Sequence, residues 1–299
     1  MSVPSPYADR LSRLPVVRHD VEVRGGVTAY WEYGQEDSEV TVIAVHGFRG
    51  EHHGLESVLA FLPEVRVIAP DLPGFGETAP VPGRTYDLAE YVAWLTEFAD
   101  VVAPGAVILG HSFGSIVTSA AVAGGLATPR LILINPIGAP ALEGPKGLMT
   151  RLAVLYYSLG ARLPERAGTA LLRNRLIVRI MSIAMAKTSD PDIRRFIHDQ
   201  HDTYFSRFAD RDVLRDAFVA SVSHDVSEFA ASISTPTLLI AAQRDDITPI
   251  EVERELVTRF DDGTLVEIAH VGHLIHYETP AEAAGAVRRF LRIPVARGR

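Results

Sequence analysis

The feature that most constrains the fold is an interruption. From Val40 to Ile134, and again from Thr237 to Leu291, short apolar runs alternate with stretches of helical periodicity. Between them, residues 137–231 contain nothing that reads as a strand. Val40–Val45, Val65–Ala69, Ala106–Leu109, Arg130–Ile134, Thr237–Ala241 and Thr264–Ile268 are almost uniformly apolar, as strands covered on both faces are. Helical spacing fills Leu55–Leu62, Asp87–Val102, Ser115–Ala123, Ile250–Phe260 and Pro280–Leu291. Such alternation predicts an α/β fold, a mostly parallel central sheet flanked by helices. The interrupting block predicts amphipathic helices broken at Pro145, Gly160, Pro164, Gly168 and Pro191. Inserted after one strand, it is expected to form a helical lid over the carboxyl edge of the sheet, where open α/β sheets bind ligands. The expected organisation is a core of residues 1–136 and 232–299 and a lid of residues 137–231. Val16–Arg24 and Val27–Tyr33 alternate around Gly25-Gly26 and predict a β-hairpin. The first fifteen residues are expected to be loosely attached.

Composition narrows the function. The 299 residues are 47% hydrophobic, enough for one large domain. No apolar run is long enough for a membrane span, and Met1 to Pro15 carries no apolar core of a secretory signal. There is no cysteine, which excludes disulfides, thiolate metal sites and a cysteine nucleophile and fits a cytoplasmic protein. A net charge of −8 argues against nucleic-acid binding. The charge is uneven, however: residues 148–187 hold Arg151, Arg162, Arg166, Arg173, Arg175, Arg179 and Lys187 against the single acid Glu165. That segment reads as a solvated helical face, a funnel for anionic substrates or a patch for a membrane surface.

Gly110-His111-Ser112-Phe113-Gly114 sits between the apolar run ending at Leu109 and the small-residue helix that follows. Strand, sharp turn and helix around G-x-S-x-G hold a serine hydroxyl exposed over a helix N-terminus. A serine is a poor nucleophile unless a base takes its proton and a third group orients the base. Two later strand ends offer these groups. Thr237–Ala241 is followed by Gln243-Arg244-Asp245-Asp246, and Thr264–Ile268 by Ala269-His270-Val271-Gly272-His273. The order Ser, Asp, His suits such a sheet.

Four stretches together resemble the α/β-hydrolase superfamily: His46-Gly47-Phe48, Asp71-Leu72-Pro73-Gly74-Phe75-Gly76, Gly110 to Gly114, and Gly272-His273 followed by Glu278 and Pro280. The resemblance covers nearly everything outside the lid. It implies Ser112 as nucleophile and His273 as general base and acid. It also implies the backbone N–H groups of Phe48 and Phe113 as an oxyanion hole. The family acid lies four residues before a proline, which favours Asp245 over its neighbour Asp246. Haloalkane dehalogenases and epoxide hydrolases share the lid and sheet but carry an aspartate where this chain has Ser112.

Several residues carry a bland reading beside a sharp one. His270 and His276 are decoys for the base, and His46 and Asp71 read as loop-fixing. His52 and His53 either touch substrate or form an exposed or helix-capping pair. His198-x-x-His201 has metal-binding spacing but no third ligand in register, so no metal or cofactor is expected. Tyr156, Tyr157, Met181 and Phe205, with Met185, Phe196 and Tyr204, divide between pocket and lid packing. The expected activity is hydrolysis of small to medium carboxylic esters. The alternatives are a C–C bond hydrolase or lyase on an acidic substrate, and a non-catalytic ligand-binding protein on the same scaffold. The partner in each case is a small molecule.

Overall fold

The computed structural model of the protein describes residues 3–140 and 147–293. Eight strands form one sheet in the order β1-β2-β4-β3-β5-β6-β7-β8. In chain order they are β1 Val16–Val23, β2 Gly26–Tyr33, β3 Thr41–Val45, β4 Arg66–Pro70, β5 Val107–His111, β6 Leu131–Ile134, β7 Thr237–Ala242 and β8 Gly263–Ile268. The predicted hairpin is β1-β2, and β2 pairs antiparallel with β4; from β4 to β8 every pairing is parallel. The sheet is therefore the mostly parallel one that the apolar runs predict.

β5, β6 and β7 are buried along their whole length because helices cover both faces. α1 is Ala8–Leu11, α2 Glu56–Leu59, α3 Leu88–Val102, α4 Phe113–Ala123, α10 Ile250–Leu256, α11 Ile275–Glu278 and α12 Pro280–Leu291. Side chains alternate along a strand, and the core divides accordingly. Ile108, Leu131 and Leu133 pack with Trp94, Phe98 and Ile116 of α3 and α4. Val107, Leu109, Ile132 and Ile134 pack with Val58, Ala283 and Val287 of α2 and α12.

Among the described residues five α-helices lie between β6 and β7: α5 Gly147–Arg162, α6 Glu165–Leu172, α7 Arg175–Met185, α8 Pro191–Tyr204 and α9 Arg211–Ser223. Asn174, Asp190 and Asp210 cap α7, α8 and α9 by accepting backbone N–H bonds. Pro164 and Pro191 stand at helix starts, as expected; Pro145 lies outside the described residues. Gly160 and Gly168 depart from expectation: they lie inside α5 and α6. A Cβ on Gly168 would come within 2.1 Å of the Gly160 carbonyl oxygen, so these glycines let two helices cross closely instead of ending them.

The N-terminal segment is docked, against expectation. The Tyr7 hydroxyl donates to the Tyr277 carbonyl at 2.8 Å, its ring meets Phe61 and Phe196 edge-on, and Leu14 is buried. Aromatic burial with a satisfied hydroxyl outweighs the polar composition of the stretch.

Candidate active site

The chain steps from β3 to β4 on one side and then to β5 on the other, so the loops leaving β3 and β5 part and open a crevice at their carboxyl ends. Ser112 follows β5 with φ 54° and ψ −120°, a left-handed backbone that costs a side chain energy. The crossing leaves no room for neighbours: a Cβ on Gly110 would lie 2.4 Å from Thr118 Oγ1, and one on Gly114 2.4 Å from the Val45 carbonyl oxygen. A Cβ on Gly47 would lie 3.0 Å from Ser112 Cβ, which places the His46–Phe48 loop directly beside the serine. The backbone N–H groups of Phe48 and Phe113 have no acceptor among the described residues, and Phe113 opens α4.

His273, in the loop after β8, brings Nε2 to 2.8 Å from Ser112 Oγ and Nδ1 to 2.7 Å from Asp245 Oδ2. A carboxylate only accepts, so Nδ1 carries the proton and Nε2 presents its lone pair to the serine hydroxyl. Asp245, after β7, also accepts from the Ile247 and Thr248 backbone N–H groups at 2.7 and 3.3 Å. Burial alone would raise this carboxyl, but the electrostatic attraction and hydrogen bond of His273 and the two backbone donors hold it below its ordinary value. Asp246 instead points outward and pairs with Lys187 of the helical insertion.

Sequence reasoning passed over Asn135, which follows β6 with φ 45° and donates from Nδ2 to Asp245 Oδ2 at 3.1 Å. Its one sequence signal is the Asn-Pro pair that directly follows the Arg130–Ile134 run. Glu253 of α10 was missed as well. Burial, with a smaller push from Asp245, raises its carboxyl well above the ordinary range, and neither oxygen has a partner among the described residues. Glu253 is therefore neutral in the fold and ionised when unfolded. An acid raised this way favours the fold fully below its unfolded value and loses that stability as pH rises, by about 1.4 kcal/mol per unit until the folded value is passed. In urea unfolding, Glu253→Gln is expected to gain stability over wild type increasingly as pH rises above the ordinary carboxylate range. A difference independent of pH would refute the neutral carboxyl.

His46 behaves as a loop-fixing residue. Its Nε2 accepts from Leu72 N at 2.9 Å, so Nδ1 is the donor to the Gly47 carbonyl at 2.8 Å. Asp71 accepts from the His52 and Glu77 backbone N–H groups, both at 2.8 Å. His52 and His53 do not line the space above Ser112. His52 is buried, bonded to Asp71 at 2.9 Å and stacked on Trp31. His53 bonds Glu51 at 2.6 Å and stacks on Tyr204. Glu51, His52 and His53 bring ligand atoms within 4.8 Å of one another, but these hydrogen bonds already engage both Nδ1 atoms. His198 and His201 share the Ser182 hydroxyl, at 2.6 and 2.8 Å.

Above Ser112 lies a cavity of about 500 Å³. Of the sequence candidates, Tyr156, Tyr157, Met181, Met185 and Phe205 line it; Phe196 packs with Tyr277 and Tyr204 against His53. His111, His201 and His276 line it too. Burial, followed by neighbouring imidazoles, lowers His111 and His201 to about 3 and His276 well below its usual value, so all three are neutral. The wall also holds Arg49, buried and with φ 59°. Its Nε donates to the Phe205 carbonyl at 2.7 Å, Nη2 to the Leu172 carbonyl at 2.9 Å and Nη1 to the Tyr157 hydroxyl at 3.3 Å. Leu172 closes α6 and Phe205 follows α8, so two helix C-termini, each worth roughly half a negative charge, stand where a carboxylate partner would. This arginine, one residue past Phe48, gave no sequence signal beyond its position.

Fold and crevice together define a class. Residues 42–286 match the family model described as the Alpha/beta hydrolase family, and the chain belongs to that family. It is 25% identical over 287 residues to the uncharacterized hydrolase YugF of Bacillus subtilis (strain 168), covering 93% of this chain and 98% of that one. Among solved structures it shares its fold with a thermophilic esterase from Thermogutta terrifontis, at TM-score 0.72 and 22% identity over 92% of this chain and 98% of that one. It also shares the fold of CarC, a serine hydrolase involved in carbazole degradation, at TM-score 0.70 and 23% identity over 94% and 100%. No helix among the described residues is long and apolar enough to cross a membrane.

Proposed function

We propose that the protein is a serine hydrolase of small to medium, uncharged carboxylic esters. The observation that carries this reading is the chain of hydrogen bonds from Ser112 Oγ through His273 to Asp245, at 2.8 and 2.7 Å, beneath the cavity. Ser112 Oγ attacks the ester carbonyl as its proton passes to His273 Nε2. The Phe48 and Phe113 N–H groups stabilise the oxyanion, an effect worth about 3–4 kcal/mol per donor. His273 returns the proton to the leaving alcohol, and an acyl-enzyme remains. Water then attacks while His273 takes its proton, and the carboxylic acid departs as Ser112 is restored. The helical insertion acts as a lid that selects by size and excludes water.

The neutral imidazoles and the internally satisfied Arg49 favour esters over the acidic substrate of a C–C bond hydrolase or lyase, since a carboxylate here would be desolvated without a free cation. The hydrolase name of the Bacillus relative and the esterase of shared fold support the same class. The test is hydrolysis of p-nitrophenyl acyl esters of increasing length by wild type beside Ser112→Ala. Turnover confined to wild type is expected, with a preferred chain length set by the cavity. A folded wild type that hydrolyses none of them would leave the C–C bond reading in place of this one.

A further inference from the structure

Apolar side chains crowd the outer surface of the insertion. On α7, Leu176, Ile180 and Ile183 are 67%, 58% and 59% exposed. They are spaced by four and three residues and so form one stripe. The opposite side of the same helix faces inward: Val178 and Ser182 are buried, and Ile177 and Met181 line the cavity. α5 repeats the pattern. Leu155 and Leu159 are 52% and 45% exposed; Leu152, 51% exposed, stands at the rim of the same cavity, which Ala153 and Tyr156 also line. Lone exposed leucines need no explanation; two apolar stripes flanking one cavity do.

Basic residues border both stripes. Arg151 lies four residues before Leu155, and Arg162 three after Leu159, which puts them on the same face of α5; both are exposed. Arg175, also exposed, immediately precedes Leu176, whereas Arg179, before Ile180, is half-buried and paired with Asp202. A second copy of the chain would set this basic face against itself across an isologous interface. An anionic surface meets it with opposite charge, while the net acidity of the whole chain, −8, turns the remaining surface away from that surface.

We infer that the α5 and α7 faces of the insertion dock on an anionic phospholipid bilayer surface, with the leucine and isoleucine stripes in the interface and the arginines on the headgroups. Apolar area and basic charge supply the two signals that stable peripheral binding needs. The cavity then opens beside the bilayer, within reach of esters that partition into it.

The test is flotation of the full chain with phosphatidylcholine vesicles, with and without phosphatidylglycerol, at low and high salt, and needs no turnover. Binding to the anionic vesicles at least tenfold above the neutral ones, weakened by salt, is expected. The triple variant Leu176→Ser, Ile180→Ser, Ile183→Ser is expected to lose at least tenfold, and Arg151→Glu with Arg175→Glu about as much. All five side chains are exposed, and thermal unfolding verifies that each variant remains folded. Failure to bind either vesicle overturns the inference, as does equal binding to both. A dimer in analytical ultracentrifugation that the triple variant dissociates overturns it in favour of a second copy. Ester hydrolysis without vesicle binding would sink this inference and leave the proposed activity standing; vesicle binding without ester hydrolysis would do the reverse.

Discussion

Ser112→Ala is expected to lower kcat by about 10⁴-fold or more, and His273→Ala by a similar factor. In the proposed mechanism the two act as a unit, because the serine hydroxyl is inert until Nε2, 2.8 Å away, takes its proton. The double variant should therefore be little worse than either single one. Residual turnover would come from the backbone donors of Phe48 and Phe113, which side-chain changes leave in place. Single-turnover kinetics on a p-nitrophenyl ester measure this directly. A Ser112→Ala protein within tenfold of wild type would remove Ser112 as the nucleophile, and additive losses in the double variant would mean that the pair does not act together.

The second large effect separates two adjacent acids. Asp245→Asn is expected to lower kcat about 10³- to 10⁴-fold. An amide beside Nδ1 can donate, which favours the tautomer with its proton on Nε2, where the lone pair is needed. Asp246→Asn should fall within a few-fold of wild type. That side chain is 62% exposed and its partner is Lys187, so the pair is worth little in water. The informative measurement is kcat/KM for both variants on one ester. An Asp246→Asn defect exceeding that of Asp245→Asn would reverse the assignment.

The sheet was legible because burial on both faces writes itself as uninterrupted apolar runs, and the predicted strands lie within two residues of the observed ones. The turn at Ser112 was legible because its crossing tolerates only glycine at two fixed positions. Short-range chemistry did not settle which of Asp245 and Asp246 faces the imidazole; a resemblance favoured one, and the fold places it at 2.7 Å. What sequence left hidden is what long-range packing decides. Gly160 and Gly168 read as helix ends because a close helix crossing and a terminus both ask for glycine. His52 read as a candidate for substrate contact because nothing local announces Trp31 above it or Asp71 beside it. Arg49 and Asn135 act through partners more than a hundred residues away, at a range where periodicity carries no information.

Arg49 also limits how this architecture can be recombined. Its guanidinium is rooted in the loop beside the serine, yet among the described residues its charge is answered by groups of the insertion: the ends of two helices, a tyrosine of a third and the Phe208 ring. The two modules are therefore not independent cassettes. A chimera that kept this core and took the insertion of a relative would strand a cation in an apolar wall unless position 49 travelled with the helices. The heritable unit of this cavity is the insertion together with one residue of the core.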